Sequence, residues 1–189
     1  MPETARLRPG FFDELYAADP DPWQFETSPY EQAKYDATIE ALEGRRFANG
    51  LEIGCSIGVL TQRLAERIDE LLAIDVAEAA LDQGRRRNLT NVAFERREVP
   101  EEFPDGAYDL IVISEVMYYL DAPAFDATCD AIERTLDGML LAVHWRPEAP
   151  RYPFTGDAVH ERLRHRFGPP AYSRTHPKYN LDRFDVCGS

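Results

Sequence analysis

The chain has 189 residues, 44% hydrophobic and 29% charged, which is the balance of a globular protein with room for one α/β domain and its core. Thirty-four acidic against 21 basic side chains give a formal net charge of −13, so the molecule repels phosphate backbones and lacks the basic footprint of a nucleic-acid binder. No apolar run approaches the ~20 residues of a membrane span, and Cys55, Cys129 and Cys187 have neither disulfide-framework nor metal-ligand spacing, so buried free thiols and no metal site are expected.

Met1–Gly10 carries charges and prolines where a secretion signal needs an apolar stretch, so a cytoplasmic location is expected. Within Met1–Asp21 the patch Phe11-Phe12-Asp13-Glu14-Leu15-Tyr16 predicts one or two helical turns. Ser28-Pro29-Tyr30-Glu31 is a helix start, with a capping hydroxyl, a proline at the first helical position and a Glu three residues after the cap. That helix is expected to run to Glu43 and stop at Gly44. Residues 1–46 are thus read as a helical cap, and 47–189 as the α/β core of one domain.

From residue 48 short apolar runs alternate with amphipathic helices, the pattern of a parallel sheet covered by helices. Leu51-Glu52-Ile53 reads as the first strand, followed by a glycine-containing turn and a helix with Leu60, Leu64 and Ile68 on one face. Glu70–Asp75, Val92–Arg96, Tyr108–Ser114 and Met139–Trp145 read as further strands, and Ala77–Arg87 as the second core helix, whose Arg85-Arg86-Arg87 run suits a solvated face. Phe125, Cys129, Ile132 and Leu136 recur at helical spacing, and Thr155–Arg166 reads as a helix with Val159, Leu163 and Phe167 inward, Asp157 being a candidate cap. Ala171–Thr175 and Arg183–Cys187, separated by His176-Pro177-Lys178-Tyr179-Asn180, predict a terminal hairpin.

The sharpest chemical signal is Leu51-Glu52-Ile53-Gly54-Cys55-Ser56-Ile57-Gly58, at the end of the first strand and opening a helix. Glycine there permits a tight turn and close approach of a ligand to the backbone. Asp75 stands at the tip of the second strand, where a carboxylate can accept from both hydroxyls of a nucleoside ribose. Ser56 and Val59 occupy the second and third glycine positions of a dinucleotide fingerprint, which disfavours nicotinamide chemistry.

The acid-x-Gly pattern of Glu52-Ile53-Gly54, ending in Gly58 with Ser56 at the middle glycine, resembles the first motif of class I S-adenosylmethionine-dependent methyltransferases. Ile113-Ser114-Glu115-Val116-Met117-Tyr118-Tyr119-Leu120 resembles their fourth. Trp23, Ser28-Pro29-Tyr30-Glu31, Lys34-Tyr35 and Glu115 to Leu120 bring the resemblance closer to the nodulation protein S-like N-methyltransferases, over Phe12 to Leu141. It implies a Rossmann-like, seven-stranded, mostly parallel sheet with an antiparallel last strand and helices on both faces, binding S-adenosyl-L-methionine and releasing S-adenosyl-L-homocysteine. Glu52, Gly54, Cys55, Ser56, Gly58 and Ser114 would border the methionine part, and Asp75, with Val76 beside it, the ribose. Glu98, flanked by Arg97 and Val99, would lie at the adenine, and Tyr30 or Lys34 would reach the methionine carboxylate.

The acceptor implied is a small amine, including one on a sugar. An amine must present a lone pair, so a carboxylate or imidazole able to take its proton is sought on the ligand edge of the sheet. Glu115, His144 and His160 are the candidate catalytic groups, and Tyr118, Tyr119 and Trp145 candidate substrate-binding aromatics. O-methylation of a hydroxyl or carboxyl compound and non-catalytic binding of S-adenosylmethionine are the alternatives. Partners are expected to be limited to the small-molecule acceptor, with no nucleic acid and no membrane, the protein being a monomer or weak homodimer.

Overall fold

The computed structural model describes residues 5–147 and 149–186. Cys187, the last residue of the expected hairpin, lies outside them. The described residues gather into two compact units, one of residues 8–98 and one of residues 5–7 with 99–186.

In the unit of residues 8–98, helix α1 (Pro9–Ala18) is longer than the one or two turns expected, a proline opening it. In α2 (Pro29–Glu40) the Ser28 hydroxyl accepts from the Glu31 N–H, as the capping sequence predicts. Three parallel strands follow, β1 (Phe47–Ile53), β2 (Ile68–Asp75) and β3 (Val92–Arg96), in the order β3-β2-β1. Between them lie α3 (Val59–Leu64) and α4 (Glu78–Arg85). Ile68, expected on the helix after β1, instead opens β2 and pairs with Phe47. β1 starts four residues earlier than the apolar run because Phe47 and the turn-like Asn49-Gly50 are already in register with β2. Helix α4 packs on β2 and β3, α1 on α4 and α2 on α3.

In the other unit, β4 (Tyr108–Ser114) lies parallel to β5 (Leu136–Trp145), β5 pairs antiparallel with β7 (Tyr179–Val186), and β6 (Tyr172–Thr175) forms a hairpin with β7. Helix α5 (Ala122–Thr135), capped by Asp121, buries Phe125, Cys129 and Ile132 as the spacing predicts. Leu136, next in that series, ends the helix and pairs with Tyr108 as the first residue of β5. Strand β5 continues through Asp137-Gly138, a pair that looks like a turn. A Cβ on Gly138 would stand 2.2 Å from the Asp109 carbonyl oxygen, so only glycine lets the two strands pass at this register shift. In α6 (Gly156–Phe167) the cap is Thr155, whose hydroxyl accepts from Ala158; Asp157 does not cap and binds Arg146 and Asn180 instead.

β4 apart from Asp109, and the centre of β5, are buried, with Leu110, Ile111, Leu140 and Leu141 fully enclosed, each worth about 1.5–3 kcal/mol of apolar burial. Such continuous apolar runs are what two-sided covering of a parallel strand demands. Among the described residues no helix is long and apolar enough to cross a membrane.

Candidate functional site

The turn after β1 is held open by left-handed backbone at three of its five residues, Gly54 (φ 86°), Ser56 (φ 50°) and Gly58 (φ 78°). The Gly54 and Cys55 N–H groups both donate to the Ile74 carbonyl, at 2.9 and 3.1 Å, which fastens the turn to β2. Ser56, at the position of the motif's middle glycine, keeps the glycine-like conformation, and its hydroxyl shares a short hydrogen bond with Tyr16. Gly58 caps α3, and a Cβ there would meet the Gly84 backbone of α4 at 3.1 Å.

Asp75, half-buried at the end of β2, accepts from the Ser56 N–H at 2.9 Å through one carboxylate oxygen and from the Ala77 N–H at 3.0 Å through the other. Burial pushes its carboxyl above the ordinary value, against these backbone donors. The Val76 N–H draws it down as well, and with three backbone donors on about four acceptor sites the carboxylate retains capacity for a further donor. Tyr16 is buried nearby, and its phenol is pushed far up by burial and then by the Asp75 charge, so it stays protonated.

Glu52, one residue before the end of β1, is completely enclosed. Neither carboxylate oxygen has a well-formed hydrogen bond within the protein, and neither does the Thr61 hydroxyl on α3. Burial pushes the Glu52 carboxyl up to about 8, with Thr61 drawing it down and the Asp75 charge pushing it further up. Cys55 is likewise buried and its thiol pushed well up by burial and by the Asp75 and Glu52 charges, so it stays a thiol.

Other residues expected on this side are more varied. Lys34 is buried on α2, its ammonium paired with Glu31 at 2.9 Å and 5.3 Å from the centre of the Tyr30 ring. Val76 follows Asp75, and the Arg97 N–H donates to the Asp75 carbonyl at 3.0 Å while its guanidinium meets Glu95. Glu98 is half-buried just after β3. Val99 and Ser114, the latter at the end of β4, belong to the other unit and are buried. Arg87 departs from the solvated reading of its basic run: its Nε donates to the Ile57 carbonyl at 2.7 Å, and it also binds Gln62 and Glu26. Trp23 stacks on Phe25 and meets Tyr16 edge-on, so both aromatics pack.

In the unit of residues 99–186, Glu115 follows β4 with a left-handed backbone (φ 60°), strained for a non-glycine residue. One carboxylate oxygen accepts both from the Tyr118 hydroxyl at 2.6 Å and from the Trp145 N–H at 2.8 Å, while the Glu115 N–H donates to the Val143 carbonyl. The 3-10 turn Met117–Tyr119 continues the chain. Tyr118 is stacked on Tyr152 at 5.3 Å, and Tyr119 meets both rings edge-on. Burial pushes both the Tyr118 and Tyr119 phenols well up.

His144, fully buried on β5, receives the Met117 N–H on Nε2 at 3.3 Å, and its Nδ1 lies 3.2 Å from Nε2 of His160. Nδ1 of His160 lies 2.8 Å from the Asp182 carboxylate. Arg164 grips the same carboxylate with two N–H groups, at 2.8 and 2.9 Å. Burial pushes Asp182 up, but the His160, Arg164 and Ser173 hydrogen bonds outweigh it and hold the group at about 2. Sequence reading missed Tyr16, Arg87, Tyr152, Arg164 and Asp182. Their hydrogen bonds reach partners as far as 40 positions away for Tyr16 and 61 for Arg87, and no local pattern announces that.

A family model described as nodulation protein S (NodS) matches residues 12–139. The nodulation protein S of Rhizobium tropici is 36% identical over 107 residues, 55% of this chain and 44% of that protein. The chain therefore spans about half the length of the curated relatives it matches. A solved structure of a putative methyltransferase from Pseudomonas syringae is 33% identical and has a TM-score of 0.73, covering 83% of this chain and 99% of that one. The N-methyltransferase NodS from Bradyrhizobium japonicum WM9, solved in complex with S-adenosyl-L-homocysteine, has a TM-score of 0.79 at 24% identity and covers 94% and 97%. These likenesses show the fold to be the Rossmann-like, seven-stranded, mostly parallel sheet of class I methyltransferases, with its antiparallel last strand.

Proposed function

Because the chain belongs to the nodulation protein S family, we propose that it is a methyltransferase that uses S-adenosyl-L-methionine to methylate a small-molecule amine, including an amine carried on a sugar. The observation that carries this reading is the enclosed Glu52 carboxylate, which has no well-formed hydrogen bond in the protein and stands beside a left-handed turn and a ribose-type acid. A buried carboxylate without a partner is costly, and a ligand bearing an ammonium removes that cost. Asp75 retains acceptor capacity for a ribose hydroxyl. The residues present therefore fit an adenosine with a cationic amino-acid tail. The turn 54–58, with Glu52, would hold the methionine part, Asp75 and Val76 the ribose, and Glu98, between Arg97 and Val99, the adenine. Tyr30 would approach the methionine carboxylate more readily than Lys34, whose charge Glu31 already meets.

When bound, S-adenosylmethionine supplies a methyl group already activated on sulfur, so the protein's work is to orient the acceptor, exclude water and keep a lone pair on the attacking atom. Glu115 is assigned the proton of the acceptor amine. Its carboxylate is fixed by the Tyr118 hydroxyl and the Trp145 N–H at the end of the strand pair β4–β5. Tyr118, Tyr119 and Trp145 would enclose the amine.

The test is calorimetry with S-adenosylhomocysteine, followed by incubation of S-adenosylmethionine with a panel of primary and secondary amines that includes D-glucosamine. The reading expects micromolar binding and an N–CH3 product by NMR. An O–CH3 product from hydroxyl compounds would replace the amine by an oxygen acceptor, and binding without turnover on either panel would leave a nucleoside-binding module. Absence of binding to well-folded protein would remove the reading altogether.

A further inference from the structure

The four buried groups Met117 N–H, His144, His160 and Asp182 form one chain whose donor and acceptor roles are fixed from one end. A backbone amide can only donate, so Nε2 of His144, 3.3 Å from the Met117 nitrogen, must be an unprotonated acceptor. A neutral His144 then carries its proton on Nδ1 and gives it to Nε2 of His160. His160 in turn must be neutral, with its proton on Nδ1 directed at Asp182. An imidazolium at His160 would donate from Nε2 to Nδ1 of His144, leaving the His144 proton on Nε2, against the Met117 N–H. The Arg164 guanidinium already neutralises Asp182, so no second cation is called for.

We infer that His144, His160 and Asp182 are positioning residues, a tautomer lock that holds the Glu115 turn in its strained conformation by capturing Met117 N–H. The inference rests on the proposed role of Glu115 at the acceptor. The chain does not conduct protons to the acceptor, because it ends on an amide that has no proton to spare. Its effect is mechanical. The left-handed backbone at Glu115 would relax toward an ordinary conformation if the next residues were free, yet residue 117 is tied to β5 through His144 and the Glu115 side chain is tied to the Trp145 N–H on the same strand. Two fastenings, on either side of the strained residue's own backbone, fix where its carboxylate stands. Asp182 and Arg164 supply the anchor: with the carboxylate satisfied on three sides, the Nδ1–H form of His160 is the form that completes the chain.

Nitrogen NMR on protein labelled with 15N-histidine tests this without any acceptor or cofactor. The lock requires both buried rings to show a protonated Nδ1 and an unprotonated Nε2; a protonated Nε2 on either ring would overturn it. Amide exchange supplies the link to Glu115. His144→Leu should speed exchange at Met117 and also at Trp145 by roughly tenfold, the worth of one hydrogen bond, whereas His144→Gln, whose amide oxygen can accept at the Nε2 position, should restore the protection of both. Loss at Met117 with Trp145 unchanged, or failure of Gln to restore what Leu loses, would reduce the chain to ordinary packing. If His144→Leu does not fold, the wild-type spectrum and the Gln variant decide alone. None of these readings changes if the protein fails to bind S-adenosylhomocysteine, so failure of the functional proposal is recognisable separately.

Discussion

Two buried carboxylates, one in each unit, face opposite circumstances. Asp182 is fully enclosed and satisfied: His160, Arg164 and Ser173 donate to it, and it is held at about 2. Glu52 is equally enclosed and has no well-formed hydrogen bond, so burial carries it to about 8. A protein interior tolerates a charge when the fold itself supplies the donors, and the Asp182 cluster does so at the expense of three side chains. Where the fold withholds them, the group waits protonated for something else, and Glu52 beside the 54–58 turn is such a group.

The largest expected effect separates the two by pH. Glu52 binds a proton in the native state that the unfolded chain has lost above about 4.5, so its contribution is fully present below that value and is lost as pH rises to about 8. The ligand-free protein should therefore lose up to about 1.4 kcal/mol of stability per pH unit across that window, measured by urea unfolding. Glu52→Gln should flatten the slope, raise ligand-free stability at pH 8 and weaken S-adenosylhomocysteine binding. An unchanged slope in the variant would show that Glu52 finds a partner within the protein after all.

Next in size is Glu115→Gln. Gln retains an acceptor for Tyr118 and Trp145 but cannot take a proton, so methyl transfer to an amine substrate should fall by roughly 100-fold or more with S-adenosylhomocysteine affinity unchanged. Glu52→Gln should show the converse, a weaker cofactor with less effect on the bound-state rate. If both variants lose cofactor affinity alike, the separate roles proposed for Glu52 and Glu115 fail.

Asp182 gives a smaller and opposite pH effect. Its folded value lies below the unfolded one near 3.8, so its contribution is present above about 4 and disappears as pH falls toward 2. That difference amounts to about 2 kcal/mol. Asp182→Asn should remove it at neutral pH and flatten the part of the acid limb below pH 4.

The same contrast explains what could be read before the structure was known. Strand β4 has the ends that its apolar run predicts, because burial writes such runs into the sequence, and β3, half-buried with exposed Ala93 and Arg96, also has its predicted ends. The turn at 54–58 was legible because left-handed backbone favours glycine, and Asp75 because it closes β2 where it accepts the Ser56 N–H of that turn. β7 was placed four residues late. Its early part, Tyr179 to Asp182, alternates apolar with Asn180 and Asp182, whose polar side chains point into hydrogen-bonded clusters instead of solvent. The His144 to Arg164 chain was likewise invisible as a unit. His144 and His160 stood out singly, but the partner that fixes their protons is a backbone amide, which has no letter in the sequence.

The smallest effect sharpens the comparison at the turn itself. Ser56 holds a left-handed backbone that costs about 1 kcal/mol for an L-residue relative to glycine, and it offsets this through the hydrogen bond to the buried Tyr16. Ser56→Gly alone relieves the backbone but strands the phenol, whose unmet hydrogen bond costs about 1–3 kcal/mol, so the variant should be neutral to slightly less stable. In a Tyr16→Phe background only the relief remains, and Ser56→Gly should now stabilise by about 1 kcal/mol. The sign of the substitution thus depends on its partner. A double-mutant cycle by urea unfolding reads the coupling directly, and a Ser56→Gly effect of the same sign in both backgrounds would mean that Tyr16 does not hold this turn.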